Sequence, residues 1–358
     1  MLLHVNVMRM KAHTVLYSLL VIALAADAPI AFAQAEVYRV HPASGQPVTG
    51  RLGEITKDKV VLQIGSSTKE FAVNEIKLVQ LPGAPRDLIE AQNAAADADW
   101  GRVIELLDKI PPPQLANEAV KQEVDFYRAL ANARLAVTGG APAAEAQAAG
   151  TALVAYLKAN PNTWHFYDTS EAVGDLLVSM GRFEQAPNFY NGLANAPWPE
   201  YKMRAAVAIG RALQAQGKHA EAIKQFDVAL ATDAKSKSGQ AQALVAKIGK
   251  AKSAIELGRA QEGLQLLTKA IEDLPTEDTQ LCATAYNALG NAYLQLKQPK
   301  DAMYAFLIVD SLYNQSPPQH AEALYHLKDL WNQLSHPDRS KEAADKLKSR
   351  YPASPWNK

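Results

Sequence analysis

The chain has 358 residues, 48% of them hydrophobic and 21% charged. That composition excludes global disorder and leaves room for two or three domains, or for one repeat array of any length. Lys plus Arg and Asp plus Glu stand at 37 each, so no net field draws the chain toward nucleic acid or an acidic membrane.

At the start, MLLHVNVMRMKAH (residues 1–13) carries Arg9 and Lys11 and no acid, and VLYSLLVIALAA (residues 15–26) is uncharged. Ala31-Phe32-Ala33 comes next as a small-x-small site. This order is that of a secretory signal peptide over 1–33, cleaved after Ala33, with Met8 or Met10 as alternative starts. The competing reading is an uncleaved N-terminal membrane anchor. A span needs about 20 apolar residues, and Asp27 and Pro29 interrupt the run. No cysteine sits at the small-residue site for lipid attachment, and nothing later is apolar for long enough to span. The mature protein is expected to be exported, to the periplasm or cell envelope, near neutral in charge and without a stable membrane span.

Residues 36–82 read as a small β module. VYRV, PVTGRLGEIT, KVVLQIG, KEFAVNEI and KLVQL are rich in Val and Ile, and Val60, Leu62 and Ile64 alternate, as do Phe71 and Val73. ASGQP, TKD and GSST separate them as turns. Short alternating runs between turn residues predict five antiparallel strands. In size and rhythm they are similar to the small SH3-like or Sm-like barrels. A module this small is near the lower limit for independent stability and is expected to lean on the helices C-terminal to it. LPGAP, residues 81–85, marks the boundary.

From Pro85 the chain turns Ala- and Leu-rich with helical periodicity. In three stretches a small residue (Gly210, Ala251, Gly290) is followed twelve residues on by another (Ala222, Gly263, Ala302). Four further lies Phe226, Leu267 or Phe306, and three beyond that Ala229, Ala270 or Val309. Positions i, i+4, i+7 and i+8 share a helix face. Small residues on two neighbouring antiparallel helices allow close approach, and the large one fills the gap to the next pair. Gly217 and Gly258 stand at the turns of the first two copies. Gly174, Ala186 and Tyr190 hold the same places upstream.

These residues resemble the tetratricopeptide repeat, a helix–turn–helix unit of about 34 residues. The resemblance covers about 85–352, most specifically 170–315, and implies an α-α superhelix of about seven helix pairs with degenerate outer repeats. From Val103 through Ala149, Ala186, Ala222, Gly263 and Ala302 the intervals are 46, 37, 36, 41 and 39. All exceed the usual period, so the superhelix is expected to be irregular. The fold class is thus mainly α, a solenoid preceded by a small all-β barrel-like module.

No His-Glu-x-x-His, Gly-x-Ser-x-Gly, Walker-type or Gly-x-Gly-x-x-Gly motif is present. No enzyme, cofactor or metal is expected. The one cysteine, Cys282, allows no intramolecular disulfide or cysteine cluster and reads as a buried packing residue. His165, Asp168 and Glu171 share a helix face at spacings of three, in principle a metal set, though a solvated face is the plainer reading. Trp164 and Trp198 sit near helix starts, where a Trp packs over the preceding turn or stands out as a binding hot spot.

The resemblance implies that the first helix of each pair lines a concave groove where partners bind. The inward positions are Asp168, Glu171 and Asp175, then Arg204 and Arg211, then Thr284, Asn287 and Asn291. One reading is a groove for a polar peptide, with the two asparagines bonding an extended backbone. The favoured one is that Asp175 and Arg211 pair across adjacent repeats and set their stacking. Some members of the family clamp a C-terminal carboxylate with Lys, Asn and Arg. Asn291 matches one Asn of that clamp, but Asn287 stands where the Lys belongs, so no clamp is predicted. The expected function is an exported protein-protein interaction scaffold or adaptor. A structural spacer or homo-oligomerising envelope protein, with the β module as its binding end, is the alternative. An enzyme or solute receptor with a cryptic site is a third.

Overall fold

The computed structural model describes residues 37–138 and 142–357; the signal segment predicted over 1–33 lies outside them. Five strands come first: β1 (Val37–Pro42), β2 (Val48–Ile55), β3 (Lys59–Ile64), β4 (Ser67–Ala72) and β5 (Ile76–Gln80). A single 3-10 turn, Val73–Glu75, joins the last two. All pairings are antiparallel, in the order β4-β3-β2-β1-β5. Register slips by one residue between Leu52 and Glu54, a bulge at Gly53 that bends β2. At Gly50 the two strands run so close that a Cβ would lie 2.6 Å from the Gln63 carbonyl oxygen.

The sheet is open, and this corrects the expected barrel: β4 and β5 lie at opposite edges and do not pair. Its inner face is Val40, Val60, Leu62, Phe71 and Val79, with Ile76 and Trp164, in the turn before the helix Phe166–Ser179, packed against them. Because Trp164, from that turn between two helices, helps cover this face, burying it does not require the strands to close on themselves.

Fourteen α-helices complete the described residues, packed as consecutive antiparallel hairpins. They are α1 (Arg86–Ala96) with α2 (Trp100–Leu107), α3 (Glu118–Val137) with α4 (Ala143–Ala159), and α5 (Phe166–Ser179) with α6 (Ala186–Ala194). Next come α7 (Pro199–Ala215) with α8 (His219–Ala231), and α9 (Lys237–Glu256) with α10 (Ala260–Glu272). The last are α11 (Thr279–Gln295) with α12 (Pro299–Leu312), and α13 (Pro317–Gln333) with α14 (Pro337–Arg350). No helix among the described residues is long and apolar enough to cross a membrane.

The small–large spacing works by lodging a ring in a notch. A Cβ on Gly174 would fall 2.3 Å from the Tyr190 ring, on Gly210 2.7 Å from the Phe226 ring, and on Gly290 2.5 Å from the Phe306 ring. Each first helix therefore needs a glycine where its partner's aromatic residue lands. Phe226 is gripped from both sides, since a Cβ on Gly249 of the next hairpin would meet the same ring at 2.4 Å. Ala186, Ala222, Ala302 and Leu267 are all fully buried, and a Cβ on Gly263 would meet Ile255 at 2.4 Å.

The turns repeat as well. Ala98, Gly181, Gly217, Gly258, Lys297 and Ser335 all have positive φ, between 57 and 78°. Each stands just past the first helix of its hairpin. In each the next residue's N–H reaches back to a carbonyl in the helix's last turn, for example Lys218 to Leu213 at 2.9 Å and Gln298 to Tyr293 at 2.9 Å. This is the left-handed C-terminal cap that favours glycine. Three hairpins keep it with a residue that carries a Cβ.

The sheet is latched to the helices by polar bonds spanning long stretches of chain. The Tyr167 hydroxyl donates to Asp58 Oδ1 at 2.6 Å, and Asn74 Nδ2 donates to Glu200 Oε1 at 2.7 Å. Between them Val73 packs into a cluster with Tyr167, Leu193, Ala196, Tyr201 and Ala205. Behind the sheet, buried Gln92 donates to the Val79 carbonyl at 3.3 Å and to Glu123 Oε1 at 3.1 Å.

Candidate binding face

The odd-numbered helices α3 to α13 lie side by side and form one face of the array, and the sequence-predicted site residues all sit on it. The structure brings most of them together with one another or with neighbouring helices. Glu171 is the centre of the first group. Its carboxylate accepts from Arg204 at 2.5 Å and from Arg134 at 3.3 Å. Arg204 also reaches Asp168 at 2.9 Å, and Arg134 reaches Asp175 at 2.7 Å. The Tyr190 hydroxyl closes the network by donating to Asp175 Oδ1 at 2.8 Å. One chain of charge thus bridges α3, α5 and α7.

Burial alone would raise the Glu171 pKa, but the two guanidiniums overcome it and hold the group at about 2. Asp175 goes the other way. Burial, together with the neighbouring Glu171 charge, lifts it above its ordinary value despite Arg134. The two carboxylates share one guanidinium, and Glu171 has a second that it shares with Asp168.

The expected partner of Asp175 was Arg211; the salt bridge comes from Arg134 instead. Arg134 lies on α3, where the small-residue spacing fades, so the repeat pattern gave no reason to look there. The candidate metal set does not converge. His165 turns inward, 3.1 Å from Glu123 Oε1 and stacked between Phe126 and Trp164, while Asp168 and Glu171 face arginines. Trp164 and Trp198 are half-buried packing residues of the sheet–helix junction.

Further along, the face is stitched by amides. Gln214 of α7 donates to the Gly249 carbonyl at 2.8 Å and to Ser253 Oγ at 2.9 Å, both on α9. Asn287, almost fully buried, donates to the Gln319 carbonyl at 2.8 Å and to Glu322 at 3.2 Å, and Asn291 donates to Glu322 at 3.0 Å. The two asparagines tie α11 to α13.

Two predicted residues remain open. Arg211 is exposed and makes no salt bridge with a described residue, and Thr284 is half-buried with its hydroxyl turned to its own helix at Gln280. Both line a hollow of 380 Å³ across α7, α9 and α11, whose walls include Ile248, Leu281 and Lys252. Lys252 is likewise exposed and outside any salt bridge among the described residues. It was missed because its own repeat offers no aligned charged stripe.

An α-helical hairpin array with left-handed caps at six of its turns and glycine notches for Tyr190, Phe226 and Phe306 is a helical-repeat protein of tetratricopeptide-repeat-like fold. A tetratricopeptide repeat protein from Parabacteroides merdae shares it, at 17% identity and a TM-score of 0.50, over 74% of this chain and 92% of that one. Two further solved structures lie just below that likeness. The apo quorum sensor NprR from B. thuringiensis has 11% identity, 74% and 86% coverage and a TM-score of 0.49. PilW, a type IV pilus biogenesis factor, has 15% identity, 68% and 98% coverage and a TM-score of 0.48. No family model matches the chain, and no curated protein matches its sequence.

Proposed function

We propose that the protein is an exported interaction scaffold that holds an extended segment of a partner protein on its first-helix face, over α7 to α13. The observation that carries this reading is the division of that face. Over α3 to α7 the charged groups are spent on one another. Over α7 to α11 a hollow retains two cations that form no salt bridge with a described residue, Arg211 and Lys252, beside Ile248 and Leu281. The acid in its lining, Asp278, caps α11 by accepting from the Leu281 N–H. The two cations select an acidic segment, and the polar side chains between them, Gln214, Gln280 and Thr284, are placed to bond its backbone. Export rests on the order of basic, apolar and small residues over 1–33; N-terminal sequencing of the mature protein, expected to begin at Gln34, tests it.

The binding test compares two faces. A photo-crosslinking residue replacing Thr284 should capture a discrete partner, and the same residue replacing Val228, exposed on α8, should not. The Arg211→Glu, Lys252→Glu double variant should abolish capture at 284. Equal capture at both positions, or capture indifferent to charge reversal, defeats the proposal.

A further inference from the structure

On the opposite side of the array, between α4, α5 and α6, the helices leave a furrow of 410 Å³. Its floor is the contact of Gly150 with Leu176, where a Cβ on the glycine would lie 2.9 Å from Leu176 Cδ2. Val154 of α4, Val173 of α5 with Met180 just past its end, and Phe189 of α6 make its walls. Met180 is 37% exposed, unusual for so apolar a side chain. The lining contains no Asp or Glu, but it does contain Lys158 and Arg182. Both are exposed, and neither forms a salt bridge with a described residue. An aliphatic slot that carries only positive charge is complementary to a molecule with an apolar tail and an anionic head.

We propose that this furrow binds a single-chain anionic amphiphile of the long-chain carboxylate class, its tail along Gly150 and Leu176 and its head between Lys158 and Arg182. The volume falls within the range of small-molecule sites, about 300–1,000 Å³. It is too small for helix-in-groove recognition. One turn of α-helix, about 10 Å across and 5.4 Å long, fills about 400 Å³ by itself, whereas such recognition reads anchors over two turns. Neither wall offers a strand, because both are helices whose main-chain groups are already paired. The adaptable thioether of Met180 suits a tail of variable shape.

The test uses the full chain and a dansyl-tagged undecanoate, with the matching dansyl-tagged alcohol as the uncharged probe. The carboxylate should bind saturably at one per chain and be displaced by laurate. Ala155→Trp, which plants an indole in the slot from an exposed lining position, should weaken both probes at least about tenfold. Lys158→Glu with Arg182→Glu should weaken the carboxylate about tenfold and leave the alcohol unchanged, the loss expected of a charge-assisted contact. Circular dichroism of the variants should match the parent. Binding indifferent to Ala155→Trp, as it would be at the apolar N-terminal segment, overturns the proposal. So does a carboxylate affinity that charge reversal leaves unchanged, or displacement by an acidic amphipathic peptide but not by laurate.

Discussion

At the scale of single residues the fold is decided by what a Cβ would hit. Gly249→Ala pushes a methyl to within 2.4 Å of the Phe226 ring, and Ala222→Leu overfills the α7–α8 hairpin that carries that ring. Each should cost about 1–3 kcal/mol in chemical denaturation. Gly101, on α2 with nothing within 4 Å, is the contrasting site: its change to Ala should stabilise by about 0.4–1 kcal/mol. Lys297 holds a left-handed conformation at φ 58°, so Lys297→Gly should relieve strain and gain about 0.5–1 kcal/mol. A melting curve that moves the other way would show that the turn is held by contacts rather than by its backbone. Glu171→Gln removes the carboxylate that bridges Arg134 and Arg204 and leaves each with one aspartate. Its cost at neutral pH should lie between the ~1 kcal/mol of an exposed pair and the ~3–5 kcal/mol of a fully buried one. The folded pKa of about 2 is below the ordinary 4.5. The Glu171 contribution is therefore complete above about pH 4.5 and is lost as pH falls toward 2. The stability gap between parent and variant should close over that window. Asp175, raised by burial, acts with the opposite sign: its ionisation costs folding energy as pH rises past 3.8.

At the scale of elements, the hairpins from α5 to α12 were readable from sequence because a ring and a notch sixteen residues apart is a local signal. Gly174 with Tyr190, Gly210 with Phe226 and Gly290 with Phe306 all carry it. The site was less legible. Asp175 has no local feature naming Arg134 as its partner, 41 residues upstream, and the spacing rule pointed downstream to Arg211. The open sheet was hidden for a related reason. Alternation in β3 and β4 shows which face is buried, but not whether strands or helices bury it. Trp164 covers that face from more than eighty residues away. The sheet should therefore fail to fold alone: a 37–82 fragment should show no cooperative melt by circular dichroism. Within the full chain, Tyr167→Phe, which deletes the 2.6 Å bond to Asp58, should speed amide exchange in β3 and β4 while leaving α11 to α14 unchanged.

At the scale of the whole helical array each hairpin touches chiefly its neighbours, so stability is a sum of local terms. Phe306→Ala should cost about 3–5 kcal/mol, and hydrogen exchange should localise that loss to α11 through α14, with α3 to α7 still protected by the Arg134–Glu171–Arg204 network. Uniform acceleration along the chain would mean that the hairpins melt as one unit. The N-terminal half is built differently from this neighbour-to-neighbour scheme. Asp58 waits for Tyr167, 109 positions later, and Asn74 waits for Glu200, 126 positions later. A chain made from its N-terminus makes these strands first and completes them late, because ring closure over such distances precedes any reward. Until Trp164 has left the ribosome or the export channel, the apolar face of the sheet lacks that cover. The newborn protein therefore carries an uncovered apolar face while the stretch from Gln80 to Trp164 is made.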